Sequence, residues 1–424
     1  MVTRRGAALG GCGAVLTACV VAWAVRGDPT ARIASHLAIY GLAFAAYLFA
    51  LHAARGLSPA GLGLALLAAV AWRAALVAAP PLLSNDVNRY VWEGRVQLHG
   101  GNPYAWRDRP DAPRWTALRD EVWHGLNHRD YPAVYPPLFQ LACRGVVGLH
   151  DSVTAMKAFL AGCELLALWP LAAVLRRRGL PRERLLVLAW SPLALVEVAG
   201  SGHNEAFALP FLAAALAGLE TGRPLASAVA AALGFQAKFL PGLVAAAWGR
   251  RYRPGHVLLA ALVALGVALP YYEGARRTFF LSLSKYAEFW RFNETLFAAL
   301  AALLGDHGRA VRAGAGLAVL LALVLAWRRA EPAAAGTAVV AAALLLGPNV
   351  LPWYALWLLP LLVVRDEPAA LLYTGTAALA YLVYPAWQSG EVWRLGWGLR
   401  ALEYGPCAVV LGLTHLRRPG VPGR

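Results

Sequence analysis

Lysine is scarce in this sequence: of its 39 basic residues, all but Lys157, Lys238 and Lys285 are arginine. The arginines fall in short clusters between apolar runs rather than on one face. That argues against nucleic acid as the reason for a formal charge of +16 and matches the charge asymmetry of membrane-spanning chains. Five cysteines (Cys12, Cys19, Cys143, Cys163 and Cys407) lie mostly in apolar segments with no metal or redox spacing, so they read as small packing residues. Charged residues make up only 15%, and no internal repeat, disordered linker or soluble domain is visible beyond the loops. What fills the chain is apolar: 59% hydrophobic with mean hydropathy +0.52, which defines an all-α polytopic membrane protein.

Candidate spans are 7–25, 33–54, 60–80, 152–175, 185–199, 206–220, 224–237, 239–248, 256–272, 310–327, 333–347, 353–364, 369–385 and 402–416. The expected fold is one integral domain over 1–424, with about 12–14 transmembrane or half-membrane helices. Arg4 and Arg5 precede an uncharged run that continues past Cys19, so an uncleaved first span is expected rather than a removed signal. With both termini cytoplasmic, Arg55, Arg176 to Arg178, Arg182, Arg184, Arg223, Arg250, Arg251, Arg253, Arg328, Arg329, Arg365, Arg417 and Arg418 all fall inside. That alternation requires a broken hairpin turning near Lys238 and Pro241, because one span from Leu225 to Trp248 would put the Arg250 cluster outside. The outer side then collects the long loop 81–151, the Ser201-to-Glu205 turn, the 273–309 loop and the Gly347-to-Tyr354 turn.

The long loop opens with Ser84 to Tyr104, SNDVNRYVWEGRVQLHGGNPY, a stretch too polar for the bilayer interior. Capped by Ser84 or Asn85 and ended at Gly100 and Gly101, it predicts an amphipathic helix on the membrane surface. Val87, Tyr90, Val91, Gly94 and Leu98 share one side; Asp86, Arg89, Glu93 and Gln97 share the other. Asp86 in the first turn reads as a base beside a phosphate-binding guanidinium at Arg89, or else as a capping carboxylate paired with it. Glu93 reads as a sugar contact or a solvated residue. Gly200-Ser-Gly-His-Asn-Glu205 projects His203, Asn204 and Glu205 between two short spans, where polar groups are costly and functional by default; satisfying broken-helix backbone is the structural alternative. Lys238, alone at a helix break, either binds a lipid phosphate or snorkels. Lys285 to Glu294 interleaves aromatics with Lys285 and Arg291, which suits a phosphate headgroup or a stacked sugar. No cofactor is expected, and a divalent metal would have to recruit Asp86 across the cavity.

Together these residues resemble the GT-C class of membrane glycosyltransferases, and within it the bacterial family 87-like mannosyltransferases that use polyprenyl-phosphate sugars. The resemblance rests on Asp86-x-x-Arg89-Tyr90-x-Trp92-x-Gly94-Arg95, Gly100-x-Asn102-Pro103-Tyr104, Asn127-His128, Tyr135-Pro136-Pro137, Gly202-His203-Asn204-Glu205, and Lys238 with Pro241. Relatives often carry two acids at the start of the first outer loop, where this chain has Asn85 and Asp86, and Asp where it has Glu205. The resemblance implies inverting transfer of a hexose, mannose foremost, from a polyprenyl-phosphate donor to a cell-envelope lipid or glycan acceptor on the periplasmic or extracellular face of the cell membrane. Asp86 would be the base. Arg89, Lys238, His203 and Arg291 would hold donor phosphate, while Glu93, Arg95, Asn102, Tyr104, Asn127, His128, Tyr135, Asn204 and Glu205 would contact sugar or acceptor. The alternatives are a polytopic lipid or sugar transporter or flippase, which would show repeat symmetry and a second gate, and a non-catalytic envelope-assembly protein.

Overall fold

The computed structural model describes residues 2–416. Among those residues the regular structure is all helix, with one isolated bridge between Phe292 and Asn349, and seven helices are long and apolar enough to cross a bilayer. Shorter apolar helices at Pro137–Leu149, Pro224–Ala237, Pro332–Leu346 and Pro352–Val364 pack among them. Leu258, Leu262, Leu265 and Leu269 of the Pro254–Tyr272 helix are exposed, as expected of a helix facing lipid.

The predicted break in the apolar stretch 224–248 is present just past its middle: Pro224–Ala237 ends at Lys238, whose backbone is extended (φ −161°, ψ 144°), before Leu240–Ala246 resumes. The chain turns back there, because Ser227 near the start of the first half and Tyr252 beyond the second meet through their hydroxyls at 2.9 Å.

Charges assigned to one side meet at one end of the bundle. Glu331 pairs with Arg178 and Arg365, Arg178 also with Glu220 at 2.6 Å, and Arg184 with Asp366 at 2.8 Å. Arg5 donates to the Arg55 carbonyl, and Glu183 accepts from the Gly56 amide. Arg417 and Arg418, assigned to the same side, lie outside the described residues. The Pro59–Ala78 helix leads from that end to the other, where the 81–151 and 273–309 loops interlock: Ser282 donates to the Pro132 carbonyl and Thr278 to that of Tyr104, both at 2.7 Å.

Two buried cations fix the start of the long loop. Pro80 and Pro81 stop the Pro59–Ala78 helix, leaving carbonyls that the helix cannot satisfy. Lys157 supplies the donors, reaching the carbonyls of Leu76 at 2.8 Å and Ala79 at 2.6 Å. Lower on the same helix, Arg73 makes a bidentate pair with Glu164 (2.5 and 2.7 Å), both groups fully desolvated. A buried pair of this geometry fixes register between helices more than it adds stability.

The loop helix runs Asp86–Leu98 and is followed by Gly100 with φ +76°, matching the expected start and stop. Its expected placement on a membrane surface is corrected. Val87, Tyr90 and Val91 on one side and Arg89, Glu93 and Gln97 on the other are all buried. The rest of the loop folds over the polar side: Trp92 and Val96 pack with Ala112, Trp115 and Leu126, and Gln97 donates to the Gln140 carbonyl at 3.0 Å. Gly94 permits the contact with the Pro137–Leu149 helix, since a Cβ there would sit 2.7 Å from the Cys143 carbonyl oxygen.

Candidate active site

A cavity of about 700 Å³ opens at the interlocked-loop end. Its lining comes from Leu83 to Asp86, the 127–136 segment, Glu205, Lys238 to Leu240, the 282–292 segment, Asn349 to Tyr354, and Tyr381 and Tyr384. Residues more than 150 positions apart in sequence therefore share one void.

Asp86 sits in the first helical turn, with its side chain 22% exposed, so its carboxylate is reachable from the cavity yet held. The Asn127 amide donates to Asp86 Oδ1 at 3.0 Å and to Asn85 Oδ1 at 3.1 Å. Asn85, which replaces the second acid of the resembling family, thus shares a donor with Asp86 and adds no second charge. Across the cavity, Lys238 Nζ pairs with Glu205 (2.7 Å), donates to Asn204 Oδ1 (2.6 Å), and lies over the Tyr135 ring. Arg291 and Lys285 also line the cavity, each with one carboxylate partner, Glu294 at 2.8 Å and Glu288 at 2.9 Å.

Several expected contacts are corrected by the side-chain geometry. Arg89 touches the cavity, but its five N–H groups are engaged: Nε with Glu93, and the terminal nitrogens with the carbonyls of Asn127, His128, Tyr131 and Pro132. It holds the 127–132 segment rather than offering free donors to a phosphate. Glu93 is buried, accepting from Arg89 Nε (2.9 Å) and from the Gln140 amide (2.5 Å), so it neither faces solvent nor reaches a sugar. Burial pushes its carboxyl above the usual range against the opposing pull of Arg89. Arg95 points away from the cavity and bridges Asp120 and Asp151 at 2.8 Å each. Asn102 donates to the Tyr271 and Glu273 carbonyls, and Tyr104 packs on Tyr271 and Phe279 with its hydroxyl donating to the Tyr135 carbonyl. These two brace the cavity from behind.

His203 lies behind Asp86 rather than on the cavity surface: Nδ1 is 4.0 Å from Asp86 Oδ2, and the ring stacks on Trp353 (3.8 Å between centroids). Asn204 is likewise buried, acting through Lys238. His128, Tyr135 and Asn127 do line the cavity. His128 takes a positive φ of 45° and packs its ring against Trp290; burial, with the Arg89 charge beside it, holds its imidazole below the usual range and therefore neutral near pH 7.

Among lining residues the sequence reading did not select, Tyr286, Asn349 and Tyr354 form a hydrogen-bonded group: the Asn349 amide donates to the Tyr286 hydroxyl at 2.5 Å, and the two tyrosine hydroxyls meet at 2.7 Å. Asn349 sits in a turn already assigned to that end, which was the available signal. Glu197, a lone acid in an apolar run, carried a signal of the same kind. Tyr381 carried none. Among the described residues no group of three or more His, Cys, Asp or Glu side chains is placed to hold a metal ion.

The cavity of this polytopic helical bundle gathers the Asp86 carboxylate and the Lys238, Lys285 and Arg291 cations, and its relatives make the chain a glycosyltransferase. The chain belongs to the alpha-(1->6)-mannopyranosyltransferase family, whose N-terminal domain profile matches residues 4–251. It is 25% identical over 427 aligned positions to a Mycolicibacterium smegmatis (strain ATCC 700084 / mc(2)155) protein named "Probable alpha-(1->6)-mannopyranosyltransferase", covering 83% of this chain and 74% of that one. No solved structure matches it significantly.

Proposed function

We propose that this enzyme transfers mannose from a polyprenyl-phosphate donor to a mannosylated lipid or glycan acceptor, with inversion and on the extracytoplasmic face of the membrane. The observation that carries the reading is the shared cavity of Asp86 and the Lys238, Lys285 and Arg291 cations. Inversion of a β-linked donor gives an α product, in keeping with the α-(1→6) linkage in the family's name.

The acceptor hydroxyl attacks the anomeric carbon while its proton passes to the Asp86 carboxylate. The C–O bond to phosphate breaks on the opposite face, and the electron pair leaves with the lipid phosphate. Phosphate is already a good leaving group, so the protein's main contribution is to orient both substrates and neutralise growing charge. Lys238 retains a cavity-facing ammonium beyond its two partners, and Arg291 is 42% exposed with one carboxylate contact, so both have donors to offer. Phe239, Leu240, Phe289 and Leu344 line the same void, apolar surface of the kind a prenyl chain covers. The arginine belt at the far end supports a cytoplasmic position for that end by charge asymmetry, and with it an outward-facing cavity.

The test is to reconstitute the protein in liposomes, offer a panel of lipid-phosphate sugars and sugar nucleotides with an α-mannoside acceptor, and identify products by mass spectrometry. Mannosyl product from the lipid-phosphate donor supports the reading. Transfer from GDP-mannose alone would overturn it.

A further inference from the structure

Glu197 takes no part in the chemistry above, yet it is fully buried beside it, in the Leu195–Gly200 turn, a π-helical widening of the kind that clusters at functional sites. Both carboxyl oxygens lie 3.0 Å from the Tyr381 hydroxyl, which donates to them, and Oε2 is 3.4 Å from His203 Nε2, a buried ring nitrogen with no hydrogen-bond partner and with this carboxylate beside it. The imidazole therefore stands between two carboxylates, Glu197 on Nε2 and Asp86 on Nδ1 at 4.0 Å. Its plane is set by Trp353, stacked at an interplanar angle of 17°. Its backbone is set by Gly202, whose φ of +80° disfavours any side chain and where a Cβ would lie a tight 3.1 Å from Val87 and 3.2 Å from Lys157.

A neutral imidazole has one N–H, and a buried carboxylate with a single phenol donor needs another partner. The nearer carboxylate takes that proton. We infer that Glu197 is a positioning residue for the transfer reaction proposed above, on which this inference rests: it holds His203 as the Nε2–H tautomer, so that the Nδ1 lone pair faces Asp86. When the acceptor O–H bond breaks and its oxygen bonds to the anomeric carbon, the proton goes to Asp86 Oδ2. Asp86 then passes it to Nδ1 once the pair closes to about 3 Å. The imidazolium so formed is stabilised by the Glu197 carboxylate, and as product leaves the proton returns through the cavity-facing Asp86 to water, leaving Asp86 a carboxylate for the next acceptor. The arrangement uses the logic by which a buried carboxylate orients a catalytic histidine.

The test has an arm independent of turnover. In protein with isotope-labelled histidine in liposomes, the His203 ring signals are those lost in His203→Ala. They report Nε2–H in the wild type and shift toward Nδ1–H or a mixture in the isosteric Glu197→Gln. A wild-type Nδ1–H tautomer, or one unchanged in Glu197→Gln, overturns the inference. In the kinetic arm, Glu197→Gln lowers kcat about 10- to 100-fold while KM for lipid-phosphate mannose stays within about twofold, because Glu197 does not line the cavity. Tyr381→Phe shifts kcat in the same direction by releasing Glu197. Unchanged kcat in an active preparation overturns the inference alone, whereas a wild type that transfers no mannose from any lipid phosphate overturns the proposed function and leaves the tautomer measurement to decide the role of Glu197.

Discussion

Arg89→Lys separates two jobs that the sequence leaves joined. A phosphate clamp survives the exchange of one cation for another with a loss of affinity, while a five-donor brace does not. Lysine has three donors on one nitrogen, where Arg89 now satisfies Glu93 and four loop carbonyls at 2.6–3.3 Å. If the ammonium keeps Glu93 and the nearest carbonyls, about two buried carbonyls lose their donor, at about 1–3 kcal/mol each, for a total of about 2–6 kcal/mol. The 127–132 segment carries Asn127, so the damage reaches the active site indirectly: the Asp86 orientation is lost and kcat falls. Expected, then, are a lower melting temperature in detergent, faster proteolysis within 127–132, and reduced kcat with little change in donor KM. A variant with wild-type stability and protease resistance but a raised donor KM would refute the bracing role and restore Arg89 as a phosphate ligand.

Asp86→Asn should cut transfer about 10²- to 10⁴-fold, the worth of a positioned base, with donor binding near normal; near-wild-type turnover in liposomes would exclude it as the base. Arg291→Ala and Lys285→Ala should each raise donor KM with protein yield unchanged, whereas Lys238→Ala should both raise KM and lower stability, since it strands the buried Glu205; binding titrations and melting curves on the same samples distinguish the two patterns. Gly94→Ala should destabilise by about 1–3 kcal/mol through overpacking against the Cys143 backbone, visible as a lower melting temperature. Asp120, held below the usual carboxylate range by Arg95 against the upward push of its partial burial, contributes stability that is present above its unfolded pKa and fades as pH falls through its folded one. Asp120→Asn should therefore flatten the acid limb of melting temperature against pH; an unchanged limb would show that the exposed pair contributes nothing.

The multi-pass helical fold was legible because it follows from hydropathy averaged over long runs, which no single contact can override. Even the break at Lys238 came from charge counting. The loop helix was legible in its ends, through Asn85 and Gly100, but not in its surroundings. Asp86, Arg89, Glu93 and Gln97 at helical spacing describe a polar stripe, and the same stripe serves a helix in water or one whose polar side is roofed by its own loop. Only the distant partners decide: Gln140, Tyr271 and the carbonyls of 127–132 are set by tertiary packing and leave no local periodicity. Arg95 and Tyr104 were overread for the same reason, since a motif records that a residue type is needed at a position but not whether it faces the cavity or braces it.

The cations of the site follow one physical rule that sorts them without reference to any motif. Each buried guanidinium or ammonium here must be satisfied before substrate arrives, because an unpaired charge at membrane depth costs several kcal/mol. Arg89 meets that need with all five N–H groups, and Arg73 and Lys157 meet it with buried carboxylates or carbonyls away from the cavity, and such groups hold the scaffold. Lys238 meets it with Glu205 and Asn204 yet keeps a face on the cavity, and Arg291 and Lys285 sit at the rim where water covers the shortfall. On the proposed reading an anionic headgroup entering the cavity would meet these spare donors without rearrangement of the buried network. Full engagement, or burial away from the void, thus marks the cations that build the scaffold, and spare donors beside the void mark those open to a ligand on the proposed reading.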